Sequence, residues 1–209
     1  MPTLYTHPMS TFAQRIHIAL REKKVEWTPA VVDMAKGAHK AAEYLAINPY
    51  GRVPTLEDGA MRVCESTAIL EYLEERHPEP PLMPADPVGR AQMRMHVKLC
   101  DLEFAGRVGT IIFPKRFLPR ERWDQARMDA AKAGIERHLA ILDTHLATRT
   151  FLAGEIFTQA EVAYAPFLLF LPLMEIEPPE HVREWATELL ARSSVVETRP
   201  ADAPDWPYG

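Results

Sequence analysis

Cysteine is scarce in this sequence: Cys64 and Cys100 are the only two among 209 residues. Two thiols cannot build a disulfide framework, and without a C-x-x-C they make neither a dithiol redox pair nor part of a zinc ribbon. A reducing compartment is the expectation, and the location is read as cytoplasmic. An excess of basic residues is also missing. Lys and Arg number 24 against 29 Asp and Glu, a net charge of -5, so nucleic acid is excluded as the main partner. Long hydrophobic runs are missing too. The longest mainly apolar stretch, Val162 to Met174, is too short to span a bilayer and contains Pro166 and Pro172; no membrane partner is expected. The N-terminus has no basic region followed by an apolar core. His96, His138 and His145 lack a spacing that assembles a metal site, and no metal is expected. What remains is an ordinary globular composition, 47% apolar and 25% charged, in a chain long enough for two domains with separate cores.

A short β-prone run at Thr3 to Thr6 ends at His7-Pro8, after which Phe12, Ile16, Ile18, Ala19 and Leu20 recur with helical spacing. Val25 to Asp33 reads as a second strand and Ala38 to Leu45 as a helix, so the order implies a crossover between parallel strands. Thr55-Leu56 and Met61 to Cys64 flank the turn Glu57-Asp58-Gly59 and predict a hairpin. Ser66 to Arg76 is an amphipathic helix opened by a serine cap. Residues 1–76 thus sketch β-α-β-α-β-β-α. The segment 77–87 carries five prolines and reads as a semi-rigid linker. Residues 88–209 are helical in tone: Val88 to Phe113, Arg120 to Leu146, Thr158 to Leu171 and Glu180 to Arg192. A loosely ordered tail from Ser193 on is expected. The fold class is therefore α/β followed by an all-α bundle domain.

Within the first domain, N48-P-Y-G-R-V-P-T-L-E-D-G places Pro54 where a strand should begin, although proline cannot donate to a ladder. Either it starts the strand in trans, or Val53-Pro54 is a cis turn whose preceding backbone faces outward to pair with an extended peptide. Glu65-Ser66 stands at a helix start, where hydroxyl, free N–H groups and macrodipole favour a carboxylate; alone, the pair reads as an ordinary cap. Ser10, at the first strand-to-helix turn, is a cap or a hydroxyl poised at a helix N-terminus, with Thr11 as its near alternative. His39 and Lys40 alone read as a solvated helix face.

The stretch V32-D-M-A-K-G-A-H-K-A-A-E-Y-L-A-I-N-P-Y-G-R-V-P-T-L-E-D-G, followed by C64-E-S-T-A-I-L-E-Y-L, resembles the cytosolic glutathione transferase family, in particular bacterial, serine-type members of the theta and zeta kind. The resemblance covers nearly the whole chain. It implies a thioredoxin-like N-terminal domain, glutathione as co-substrate and a homodimer. By it, Ser10 bonds the glutathione sulfur, the Val53 backbone before cis-Pro54 holds the cysteinyl unit, Glu65 and Ser66 hold the γ-glutamyl end, and His39 with Arg52 binds the glycine carboxylate, Lys40 being a weaker third. Tyr5 is one residue out of phase with the tyrosine-type pattern. Thr11 departs from the proline that many relatives carry there. The segment F151-L-A-G-E-I-F-T-Q-A-E-V-A-Y-A-P looks like the family's capping box, Thr158 with Glu161, which serves folding.

The implied reaction is attack of the glutathione thiolate on a small hydrophobic electrophile. Conjugation, dehalogenation, aryl-ether cleavage and isomerisation are all compatible with it. Phe104, Val108, Phe113, Phe117 and Tyr164 are candidates for the electrophile's pocket, with core packing as the alternative for each. The competing function is a glutathione-binding carrier that forms no thiolate. Thiol-disulfide exchange would require cysteine at position 10.

Overall fold

Leu4 and Thr6 are buried while Thr3 and Tyr5 are only partly so, the period-two pattern of a strand with one covered face. In the computed structural model, which describes residues 1–208, this strand, β1 (Thr3–Thr6), lies inside a four-stranded mixed sheet. The elements that follow are α1 (Thr11–Glu22), β2 (Thr28–Val31), a 3-10 turn (Ala38–Lys40), α2 (Ala42–Leu45), β3 (Thr55–Asp58), β4 (Met61–Cys64) and α3 (Ser66–Arg76). The sheet order is β2-β1-β3-β4, with β1 parallel to β2 and antiparallel to β3, and β3 antiparallel to β4. This is the expected thioredoxin-like arrangement.

Helices α1 and α3 pack together, burying Ile16, Ala19, Leu20, Ile69 and Leu73, and Leu4 and Leu56 are buried with them. A second small core holds Val32, Tyr44 and Val53, with Tyr5, Met34, Ala38 and Ile47 packed against it. Tyr5 thus packs beside Tyr44, their ring centroids 6.0 Å apart.

Local boundaries differ from the sequence expectation in instructive ways. The hairpin turn is Gly59-Ala60, because Gly59 takes φ +61 and lets Asp58 pair with Met61. The expected helix from Ala38 to Leu45 is broken at Ala41, which is extended. The proline-rich segment is divided: Met1–Leu82 with Glu197–Asp202 form one compact unit, and Met83–Val196 with residues 203–208 form the other. Residues 77–82 stay with the first unit because the buried Lys23 ammonium donates to the His77 and Pro80 carbonyls at 2.7 and 3.0 Å and pairs with Glu74 at 2.6 Å. Glu74 in turn accepts from the Leu82 N–H at 3.1 Å.

The second unit holds α4 (Pro87–Leu99), a π-helical segment (Cys100–Ala105), α5 (Gly106–Phe117), α6 (Gln125–Leu146), α7 (Gln159–Leu168), α8 (Glu180–Leu190) and α9 (Ser193–Val196). Asp86 opens α4 by accepting from the Val88 and Gly89 N–H groups. Helix α7 is buried all round, and its capping box is formed as expected: the Glu161 carboxylate accepts from the Thr158 N–H and hydroxyl and from the Leu152 N–H. Burial pushes the Glu161 carboxyl upward against those donors. The tail is anchored rather than loose. The Trp206 indole donates to the Thr187 hydroxyl at 2.9 Å and the Tyr208 hydroxyl to the Ile176 carbonyl at 3.1 Å. Counting prolines cannot anticipate two aromatic residues that each find a polar partner.

His96 on α4 is 3% exposed, and both of its ring nitrogens lack a partner among the described residues. Burial, reinforced by His145, lowers its pKa from 6.5 to about 4. Protons therefore bind the unfolded chain more tightly, so this contribution to stability is intact above pH 6.5 and lost as pH falls towards about 4. His96→Leu should flatten the acid side of the stability profile, by about 3 kcal/mol at pH 4, and should raise the urea midpoint at pH 7. A midpoint unchanged at both pH values would contradict this account.

Candidate active site

The sheet register gathers three loops at one end. Tyr5 pairs with Thr55 and Thr55 with Cys64, so the chain leaving β1, the chain entering β3 and the chain leaving β4 emerge side by side. They carry His7–Ser10, Arg52–Pro54 and Glu65–Ser66.

In the first loop the Ser10 N–H donates to the His7 carbonyl at 3.0 Å. Ser10 is the extended N-cap of α1, and its Oγ accepts from the Ala13 N–H at 3.2 Å. That bond uses the oxygen as an acceptor and leaves the hydroxyl proton to donate. Ser10 is half-buried, whereas Thr11, the first helical residue, is buried. The His7 Nδ1 accepts from the Met9 N–H at 3.2 Å, which sets the ring proton on Nε2.

In the second loop the Val53-Pro54 peptide is cis, and Val53 lies outside the β3 ladder, whose pairing begins at Thr55. Two side chains hold it there. The Tyr44 hydroxyl donates to the Arg52 carbonyl at 2.6 Å, and the Asn48 Nδ2 donates to the same carbonyl at 2.9 Å and to the Thr55 hydroxyl at 3.2 Å. Asn48 Oδ1 accepts from the Tyr50 N–H. Gly51 has φ +60, and a Cβ there would lie 2.6 Å from the His39 carbonyl oxygen. Only glycine allows that approach, which sets His39 beside the loop that carries Arg52. His39 is partly exposed with a buried, unpartnered Nδ1; Arg52 and Lys40 are exposed.

The third loop departs from a simple serine cap. Glu65 is the N-cap of α3, at φ 73 and ψ 117, and no side chain caps that helix. A glutamate in this sparsely populated region is strained and is held by its surroundings. Ser66 is the first helical residue, 5% exposed, and its Oγ accepts from the fully buried Arg15 Nη1 at 3.2 Å. The first N–H groups of α3 are thus left to an anion, with a guanidinium beside them.

The expected pocket residues do not line a common pocket. Phe104, Val108 and Tyr164 are all 0% exposed in the core of the helical unit. The Phe104 ring packs against those of His138, Tyr164 and Phe167, and the Tyr164 hydroxyl bonds His138 Nε2 at 2.9 Å. Burial of this kind leaves them no surface to offer a ligand. Phe113, 54% exposed, lines a groove of about 420 Å³ within the helical unit, with Gly109, Arg122 and Arg127. Among the described residues no group of three or more His, Cys, Asp or Glu is placed to hold a metal, and no helix is long and apolar enough to cross a membrane.

Residues 4–81 match the model of the glutathione S-transferase N-terminal domain and residues 125–192 that of the C-terminal domain. The chain belongs to the glutathione S-transferase family. It is 28% identical over 197 residues to glutathione S-transferase PARB of Nicotiana tabacum, covering 90% of this chain and 92% of that one. It is 29% identical over 177 residues to a stringent starvation protein A homolog of Coxiella burnetii, covering 85% and 79%. The theta class glutathione S-transferase of Xanthomonas axonopodis pv. citri, solved with glutathione bound, superposes with a TM-score of 0.89 at 29% identity, covering 97% of this chain and 99% of that one.

Arg15, Tyr44, Asn48 and Gly51 are what the motif reading missed. The signal for Arg15 was a lone charge among the buried positions 13, 16 and 18–20 of α1. Asn48 and Gly51 stood inside the quoted motif, but their roles depend on what they touch. Asn48→Ala should leave the Arg52 carbonyl and Thr55 hydroxyl short of a donor and lower stability by about 2 to 3 kcal/mol, read from urea unfolding. A loss below about 0.5 kcal/mol would refute the locking role.

Proposed function

We propose that the chain is a glutathione-dependent transferase that ionises the glutathione thiol and directs it at a small hydrophobic electrophile. The observation that supports it most is the convergence, at one sheet end, of a hydroxyl with its proton free, a backbone segment outside the ladder and an uncapped helix N-terminus. Ser10 donates to the sulfur, and the N-terminus of α1 adds positive potential; both favour thiolate over thiol. The Val53 backbone pairs with the cysteinyl unit beside Pro54. Glu65 takes the γ-glutamyl ammonium, while Ser66, the α3 N–H groups and Arg15 take its carboxylate. His39 and Arg52 take the glycine carboxylate. The thiolate then forms a C–S bond to the electrophilic carbon as the leaving group departs with the bonding pair. The cytoplasm, where thiols stay reduced, suits this chemistry. A second reading, glutathione binding without turnover, draws on the Coxiella relative, whose name is not that of a transferase.

Ser10→Ala should leave glutathione affinity within a few-fold, yet raise the pKa of the bound thiol by about one to two units and lower turnover roughly tenfold to a hundredfold. Thiolate absorbance across pH in parent, Ser10→Ala and Thr11→Ala decides. A larger rise in Thr11→Ala moves the role one residue on, and a parent without thiolate near neutral pH selects the second reading.

A homodimer is part of the proposal. Val88, Met95 and Leu102 are exposed at seven-residue spacing along α4 and the π segment, an apolar stripe suited to a second copy. Sedimentation should give twice the 23.7 kDa chain mass, and Met95→Glu with Leu102→Glu should give the monomer. A parent sedimenting as a monomer at micromolar concentration overturns the assembly.

A further inference from the structure

A groove of about 350 Å³ runs along one flank of α1, lined by His7, Ser10, Gln14, His17, Arg21 and Trp27 and roofed by residues 197–201, all within the first unit. The helical positions 10, 14, 17 and 21 form one stripe, so the groove extends directly from the Ser10 hydroxyl. Most of its polar walls are accounted for. His17 Nε2 bonds the Thr6 hydroxyl at 2.9 Å, and its ring packs 5.7 Å from that of Trp27. Arg21 pairs with Glu197 at 3.1 Å and lies 5.4 Å from the Trp27 ring. Gln14 is the exception. It is 2% exposed, and both its Oε1 and its Nε2 are sealed from water with no hydrogen-bond partner. A buried carboxamide with neither bond made is costly, and an apolar residue of the same size would avoid the cost.

We propose that this groove seats the acceptor substrate, and that Gln14 selects one bearing a primary carboxamide on a planar ring. The chemistry follows from the donor and acceptor left open. A ligand carboxamide satisfies both at once, its N–H donating to Oε1 and its carbonyl accepting from Nε2. A carboxylate can accept from Nε2 but would set negative charge against Oε1, which only a donor satisfies. The Trp27 indole supplies a wall for the ring. Reaching Gln14 requires the roof to shift, a movement that includes opening the weak Arg21–Glu197 pair, whose side chains are 47% and 50% exposed. The assignment of the ligand as acceptor rests on Ser10 holding the sulfur, as proposed above.

The test compares S-benzylglutathione, S-(4-carbamoylbenzyl)glutathione and S-(4-carboxybenzyl)glutathione by calorimetry on the full chain. The parent should bind the carbamoyl probe about tenfold more tightly than the benzyl probe, the worth of one or two neutral hydrogen bonds. Gln14→Leu should bind the carbamoyl and benzyl probes alike. Equal affinities in the parent, a preference that survives in Gln14→Leu, or a preference for the carboxy probe overturns the proposal. Failure of glutathione itself to bind would sink the transferase reading alone, because the groove has its own readout. Benzamide titrated into the 15N-labelled parent should shift the side-chain NH2 signals that are missing from the Gln14→Leu spectrum. If those signals stay unmoved at millimolar benzamide, Gln14 does not read a carboxamide.

Discussion

The Arg52 carbonyl oxygen is the point on which the first unit's geometry turns. It accepts from both the Tyr44 hydroxyl and the Asn48 amide, and the same two side chains also reach the Thr55 hydroxyl. Backbone oxygens in sheets ordinarily find partners along the ladder. Here two side chains satisfy the carbonyl instead, so the ladder starts at Thr55 and Val53 stays beside it. Burial pushes the Tyr44 hydroxyl pKa upward, which keeps it a neutral donor. The Gly51 backbone, closing against the His39 carbonyl, continues the same lock and sets the 3-10 turn next to the loop.

Electrostatics at this sheet end come mainly from backbone. Helices α1 and α3 both begin here, and each opens with a serine whose hydroxyl is used differently. Ser10 closes its own helix by accepting from Ala13, while Ser66 accepts from Arg15 and leaves its helix uncapped. Arg15 joins the two: it lies on α1, is fully buried, and delivers positive charge to the start of α3. A buried guanidinium is tolerated only with partners, and the strained Glu65 backbone beside Ser66 shows that the turn serves an arrangement other than relaxed chain geometry.

The helical unit shows why aromatic residues on an amphipathic pattern are ambiguous. Tyr164, Phe167 and His138 meet around Phe104, and burial lowers the His138 pKa to about 4 and keeps the imidazole neutral beside the Tyr164 hydroxyl. A residue that lines a pocket and one that fills a core carry the same hydropathy and the same helical period. What separates them is whether another side chain already occupies the space, and that is a property of packing.

Local chemistry was legible in the sequence by itself. The order of strands and helices in residues 1–76, the capping box at Thr158 and Glu161, and a proline that could not enter a ladder all follow from residue types at short range. Turns and helix starts at Ser10, Pro54 and Ser66 are written in neighbouring residues, whereas a ligand role for these, Val53 and Glu65 came only from the family resemblance. Only the tertiary structure decided which residues hold these in place. Gly51 against His39, Arg15 against Ser66 and Lys23 across residues 77–82 are contacts between segments, and no spacing rule encodes a partner's position. The tail followed the same rule, since Trp206 and Tyr208 are ordered by acceptors on distant elements. Short-range sterics and hydrogen bonding are fixed by the order of residues, whereas burial and long-range pairing depend on which surfaces meet when the chain closes.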